Sequence, residues 1–262
     1  MGLRGSRADR TMQGVILAGG RGSRLAAAGR PKPLVSVAGR PLLWHAVRHL
    51  NAFGIRDVFV ALGHHADAVV RAFAPAAAGR PGPFRCDTAA LDLAHRLTLV
   101  DTGTDVETGG RIARVACHLD QAPFVLAWCD GLTDLDLGAL VTCHRRHRRL
   151  VTVAAVHPPS RFGHLHLDGD LAVGFREKPR LDHEWINGGI FVVEPDALSW
   201  VGGDSCSWER DVLERLAAVG QLAAYRHAGF WRCIDTPGDL EDIAVVCRDG
   251  PAPWLSRQVA MS

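Results

Sequence analysis

The stretch "VILAGGRGSRLAAAGRPKPL", residues 15–34, runs from an apolar segment into a glycine-rich loop with two arginines and ends on a lysine between prolines. Residues 15–18 read as a short buried strand, and Gly19 and Gly20 open the loop. Beyond it, "RPLLWHAVRHLNAFGI" (residues 40–55) carries apolar side chains at helical spacing and closes at Gly54. "DVFVAL" (residues 57–62) follows as a second buried strand. Strand, loop, helix and strand with short connections predict an α/β fold, a parallel sheet with helices on both faces.

The same pattern continues outward. Strands are predicted at residues 96–101, 123–130 and 150–156 with helices between them, and residues 75–83, rich in Ala, Gly and Pro, read as a surface loop. After Pro159 the texture changes. "FGHLHLDGDLAVGFREKP" (residues 162–179) alternates around an Asp-Gly-Asp turn and predicts a β-hairpin, so the mostly parallel sheet is extended by antiparallel strands. "WINGGIFVVE" (185–194) reads as another strand, residues 205–221 as a capped helix, and residues 236–248 as a last helix opening after Asp235.

Composition narrows the class. With 262 residues, 47% hydrophobic, 22% charged and a formal net charge of +2, the chain reads as one ordinary globular domain with no nucleic-acid partner. The seven cysteines are odd in number and contain no C-x-x-C pair, which suits reduced thiols better than a disulfide framework. Residues 1–12 read as a disordered tail, with Met12 a candidate natural start. Neither a signal-peptide core nor a membrane span of roughly 18–20 apolar residues is visible, so the expectation is a soluble, cytoplasmic protein.

A glycine loop between strand and helix offers free N–H groups to phosphate oxygens. Two specific versions fail: Gly20, Gly22 and Leu25 break the G-x-G-x-x-G pattern, and no G-K-[ST] closes a P-loop. What remains is a supply of cations, Arg21, Arg24 and Lys32, with Pro31 and Pro33 stiffening the backbone at the lysine. Such a loop suits a triphosphate; a surface turn with solvated charges is the equal alternative. Asp130 ends an apolar strand and Asp235 precedes a helix, and strand ends are where ligands gather in open α/β sheets. Paired carboxylates suit Mg²⁺. An Asp-Gly turn for Asp130 and a helix N-cap for Asp235 are the structural alternatives. The thirteen histidines show no zinc spacing: His64 and His65 open a helix, and "CHRRHRR" from Cys143 ends one as solvated surface. Trp208 and Glu209 are read as packing residues.

In order from Met12 to Trp254, "VILAGGRGSRL", "PKPL", "GRPLLWH", "LVDTG", "TGGRI", "CDGLTD", "PPSRFGHL", "EKP", "WINGGIFVVEP", "GFW" with "DTPGD", and "APW" resemble the sugar-1-phosphate nucleotidyltransferase family. Within it, they are most similar to the branch that transfers a cytidylyl group to glucose 1-phosphate. The resemblance implies a Rossmann-like fold of the GT-A type in a single domain, residues 13–254. The nucleotide-binding half spans about 13–135 and the sugar half about 136–254.

It further implies that Leu17, Ala18, Gly19, Gly20, Arg21, Gly22, Ser23, Arg24, Lys32, Arg111 and Cys129 bind the nucleotide, Arg24 and Lys32 being catalytic. Glu177, Lys178, Asn187 and Gly188 would line the sugar-phosphate pocket, and Asp130 and Asp235 would hold Mg²⁺. The implied reaction joins CTP and glucose 1-phosphate into CDP-glucose and pyrophosphate, in a homo-oligomer. Another sugar or cyclitol phosphate with UTP, GTP or dTTP is the alternative, and a non-catalytic nucleotide-sugar-binding regulatory subunit a third. The chain departs from the family pattern in a shorter segment between Arg24 and Lys32, in Cys129 where glycine is usual, and in Val106 and Glu107 before "TGG".

Overall fold

The computed structural model describes residues 12–22, 25, 30–93, 96–160, 162–179, 181 and 183–256. The expected N-terminal tail lies outside the described residues apart from Met12, as do Ser23 and Arg24.

The chain enters through β1 (Gln13–Leu17), and a small antiparallel pair, β2 (Ser36–Val37) and β3 (Arg40–Pro41), precedes α1 (Leu42–Ala52). β4 (Asp57–Leu62), α2 (Ala66–Phe73), β5 (Phe84–Arg85), β6 (Arg96–Asp101), α3 (Thr108–Ala116) and β7 (Phe124–Trp128) complete the first half. β8 (Gly131–Thr133), α4 (Leu137–His147), β9 (Val151–Val156), β10 (His164–Asp168), β11 (Leu171–Arg176) and β12 (Ile186–Val193) follow. A π-helical turn (Trp208–Leu213), α5 (Glu214–Ala218), β13 (Leu222–His227), β14 (Trp231–Cys233) and α6 (Pro237–Asp249) close the chain. No described helix is long and apolar enough to cross a membrane.

Eight strands form the central sheet in the order β13-β9-β12-β7-β1-β4-β6-β5. β1 runs parallel to β4 and β7, β4 to β6, and β9 to β13. β12 is antiparallel to both its neighbours, β7 and β9, and β5 to β6. The antiparallel strand therefore sits inside the sheet, where the sequence reading had expected an extension. Residues 190–193 are buried on both faces, which suits a central position and not an edge. The expected hairpin does form, with β10 on β11, but as a separate two-stranded ribbon. Leu165, Leu171, Val173 and Phe175 on it are exposed.

The period of two along β1 explains the layers. Ile16 and Ala18 pack with α1, α2 and α4 residues such as Leu43, Val70 and Leu140, while Val15 and Leu17 pack with Ile112 of α3 and with Trp208, Val212 and Leu216. A third cluster joins Leu25, Val35, Leu132, Ile234, Ile243 and Trp254, docking α6 beside the glycine loop.

Side-chain caps open three of the described helical segments. Asp136 accepts from the Ala139 N–H at α4, and Ser207 accepts from Arg210 at the π-helical turn. At α6, Thr236 and Asp239 form a reciprocal capping box, so Thr236 is the N-cap in place of Asp235. The α4 terminus corrects the reading of "CHRRHRR" as solvated: Cys143 and His144 are buried, and His144 contacts the Thr152 hydroxyl at 2.9 Å and Glu194 at 3.1 Å.

Phe191 of β12 is fully buried between the rings of Trp128 (4.7 Å) and Trp208 (6.3 Å). Phe191→Ala should lower the free energy of unfolding by about 3–5 kcal/mol, read from urea denaturation.

Candidate active site

A cavity of about 560 Å³ opens at the carboxyl ends of β1 and β7. Residues 17–22 form one wall, residues 104–108 another, and Lys32, Cys129, Asp130 and Asp235 also line it. The glycine loop owes its path to two close approaches. A Cβ on Gly19 would stand 2.5 Å from the Arg111 guanidinium, and one on Gly22 would stand 2.9 Å from the Lys32 Cβ with φ at +57°. The loop is tied down by Ala18 N–H donating to the Ala61 carbonyl and by His64 N–H donating to that of Gly19.

Lys32 opens a short 3-10 turn, Lys32–Leu34, and its ammonium bonds Asp130 at 2.6 Å and Asp235 at 3.0 Å. The two carboxylates lie far apart in sequence and meet through strand pairing. β14 runs antiparallel to β8 with Cys233 opposite Gly131, and Ile234 N–H donates to the Asp130 carbonyl. All three side chains are largely buried. Burial by itself pulls the lysine's pKa down. The Asp130 charge and the hydrogen bonds to Asp130 and Asp235 overcome this and hold it above the ordinary lysine value. The two carboxylates thus favour the charged form of Lys32 in this pocket.

Cys129 is buried beside this cluster, and burial followed by the neighbouring Asp130 pushes its pKa up; Cys233 is pushed up to about 12 for the same reasons. Both stay as neutral thiols, and neither is an activated nucleophile.

The family model for nucleotidyl transferases matches residues 13–246. The chain belongs to this family. A glucose-1-phosphate cytidylyltransferase of Salmonella typhi is 36% identical over 93% of this chain and 98% of its own length. A mannose-1-phosphate guanylyltransferase of Mycobacterium tuberculosis is 31% identical over 89% of this chain and 64% of its own length. Among solved structures, HddC from Yersinia pseudotuberculosis superposes with a TM-score of 0.68 at 21% identity, over 90% of this chain and 99% of that one, which supports the fold alone.

In this nucleotidyltransferase the residues singled out from sequence divide into three groups. Residues 17–22, Lys32, Arg111, Cys129, Asp130 and Asp235 line one cavity. Neither Asn187 nor Gly188 lines it, although Gly188 comes near its Asp130 end. The Gly188 carbonyl accepts from the Trp231 indole at 2.9 Å and stands 3.9 Å from where a Gly131 Cβ would be, one residue past Asp130. Glu177 and Lys178 follow β11 at the foot of the ribbon, exposed, with Lys178 at φ +42°, and they do not line the cavity. The sequence reading missed His64, Thr104, Asp105 and Trp128 as lining residues. His64 immediately follows the strand end "ALG", which was the available signal, since strand ends in such sheets face the ligand. It accepts from the Arg21 Nε at 3.1 Å, and Arg21 also reaches Asp105 at 3.9 Å across the mouth.

Arg111 has a structural task here. Its guanidinium donates to the carbonyls of Leu62 (3.0 Å), Gly103 (2.7 Å) and Thr104 (3.1 Å) and to the Thr102 hydroxyl (2.9 Å). It thereby clamps the ends of β4 and β6 to the 104–108 wall. Arg111→Met should cost about 3 kcal/mol of stability in urea denaturation, because buried carbonyls lose their donors. Lysine should recover only part, lacking the planar fork.

Proposed function

We propose that this chain transfers a cytidylyl group from CTP to glucose 1-phosphate, giving CDP-glucose and pyrophosphate. The observation that carries the reading is the buried Lys32–Asp130–Asp235 cluster at the end of a glycine-loop cavity. The choice of CTP and glucose rests on the Salmonella relative, which matches nearly end to end. The guanylyltransferase relative supports the second reading, the same reaction with another base or sugar.

The chemistry needs no unusual side chain. A phosphate oxygen of the sugar, already anionic at neutral pH, attacks the α-phosphorus in line, and pyrophosphate leaves with the bonding electrons. The protein's part is to bring two polyanions together and to spread the charge that builds up. Gly19 to Gly22 offer backbone N–H groups to the triphosphate, and Lys32 supplies a buried positive charge beside it. In this reading Ser23 and Arg24 also bind the triphosphate, Arg111 and Cys129 support the nucleotide wall, and Asn187 and Gly188 receive the sugar phosphate, whereas Glu177 and Lys178, outside the cavity, could meet it only if the ribbon closed toward the site.

Asp130 and Asp235 fit Mg²⁺. Two carboxylates converge on one cation already, and no cluster of three metal-ligating side chains occurs among the described residues. Such a pair leaves coordination positions for substrate phosphate and water, the donor set magnesium prefers. When bound, the ion would neutralise phosphate charge and orient the leaving group. Homo-oligomer formation and a cytoplasmic setting belong to the same proposal, with the apolar β10–β11 ribbon as a surface for self-association. Phe175→Asp on that ribbon should then sediment as a smaller species than the wild type.

The test is a matrix of nucleoside triphosphates against sugar 1-phosphates with Mg²⁺, read by pyrophosphate release. CTP with glucose 1-phosphate should turn over fastest; silence there with another pair active would replace the substrate assignment and keep the reaction. Lys32→Ala and Asp130→Ala should stay folded by circular dichroism and lose about 10²-fold or more in kcat.

A further inference from the structure

We propose that Lys32 is an internal counter-cation that holds the seat between Asp130 and Asp235 until a triphosphate arrives, so that a divalent cation settles there only together with nucleotide phosphate. The proposal rests on the functional reading in one respect, that the ligand entering the cavity is a polyphosphate.

The geometry carries the argument. An ammonium within 2.6 Å and 3.0 Å of both carboxylates places its charge where an ion bridging the pair would sit. A divalent cation and the ammonium cannot share that space, since like charges a few ångströms apart in a buried pocket repel strongly. One must leave, and the lysine has limited choices. Its backbone lies in a 3-10 turn between Pro31 and Pro33, and its Cβ packs against Gly22. The outer part of the side chain is therefore what moves, and it moves within the cavity that residues 17–22 line.

Without phosphate on the loop, such a swing takes a mostly buried ammonium off both of its carboxylate partners, a costly state. With phosphate on the glycine loop, the ammonium exchanges carboxylate partners for phosphate oxygens, and the two aspartates are released for the metal. Lys32 thus couples the two ligands. Triphosphate should raise metal affinity and metal should raise triphosphate affinity by the same factor. The lysine also keeps the carboxylates close together while the site waits, because two carboxylates against one ammonium leave a single net negative charge.

The experiment uses Mn²⁺ as the probe and the full chain without nucleotide, with free Mn²⁺ read by electron paramagnetic resonance and the Asp130→Asn variant giving the background from other sites. Wild type should bind no Mn²⁺ above that background at submillimolar concentrations. Lys32→Met should bind at least about tenfold more tightly, Lys32→Arg should stay weak, and Lys32→Met with Asp130→Asn should return to background. Mn²⁺ should also raise the Tm of Lys32→Met more than that of wild type. Submillimolar Mn²⁺ binding by wild type that disappears with Asp130→Asn would overturn the proposal, as would Lys32→Met binding no better than wild type. If Lys32→Met does not fold, the comparison of wild type with Asp130→Asn decides alone. Pyrophosphate release by wild type is measured separately. Tighter Mn²⁺ binding in Lys32→Met with an inactive wild type retains the seat and removes the functional reading; an active wild type with no such gain does the reverse.

Discussion

A single buried ammonium, that of Lys32, ties together the parts of the chain that make the site. It comes from the end of the glycine loop, Asp130 from the turn after a central strand, and Asp235 from the last residue before α6. Residues flanking all three, Leu25, Val35, Leu132 and Ile234, share one apolar cluster, and the charges it gathers cannot be left unpaired away from water. The α6 helix is held against the loop by its own apolar cluster. Packing thus brings the charges close, and pairing fixes their geometry.

The same division of labour runs through the rest of the cavity. Arg111 holds the far wall by donating to three carbonyls and a hydroxyl at the ends of β4 and β6, while Gly19 leaves room for its guanidinium. The glycines of the loop therefore serve two purposes. In the proposed function they offer backbone N–H groups to phosphate, and in the fold they let a buried arginine and a lysine approach the strand ends. A similar economy appears at α6, where Thr236 and Asp239 take over the capping of the helix. Asp235 is thereby available to the lysine.

The layered core was legible because alternation along single strands is a local property. Ile16 and Ala18 against Val15 and Leu17 announce two covered faces, and "DVFVAL" repeats the message. The place of β12 was not legible. Its apolar run told of burial, but direction in a sheet is set by which neighbours close the ladder, and β7 and β9 lie far from it in sequence. The hairpin at residues 164–176 could be read as a hairpin, whereas its separation from the main sheet could not. His144 was misread because a charged neighbourhood suggested solvent, while its partners Thr152 and Glu194 come from strand β9 and the end of β12.

By itself the sequence determined the glycine loop, the stiffened lysine, the strand-end aspartate and the membership of the chain in a nucleotidyltransferase family. These are decided by local backbone chemistry and by the order of motifs. Only the tertiary structure decided that Lys32 lies between Asp130 and Asp235, that Arg111 spends its donors on the protein, and that Glu177 and Lys178 stand outside the cavity. The first two concern which partners a buried cation finds, and the third where an exposed turn lies relative to the cavity. Partners separated by about 100 residues or more are chosen by packing and desolvation, which no local pattern encodes.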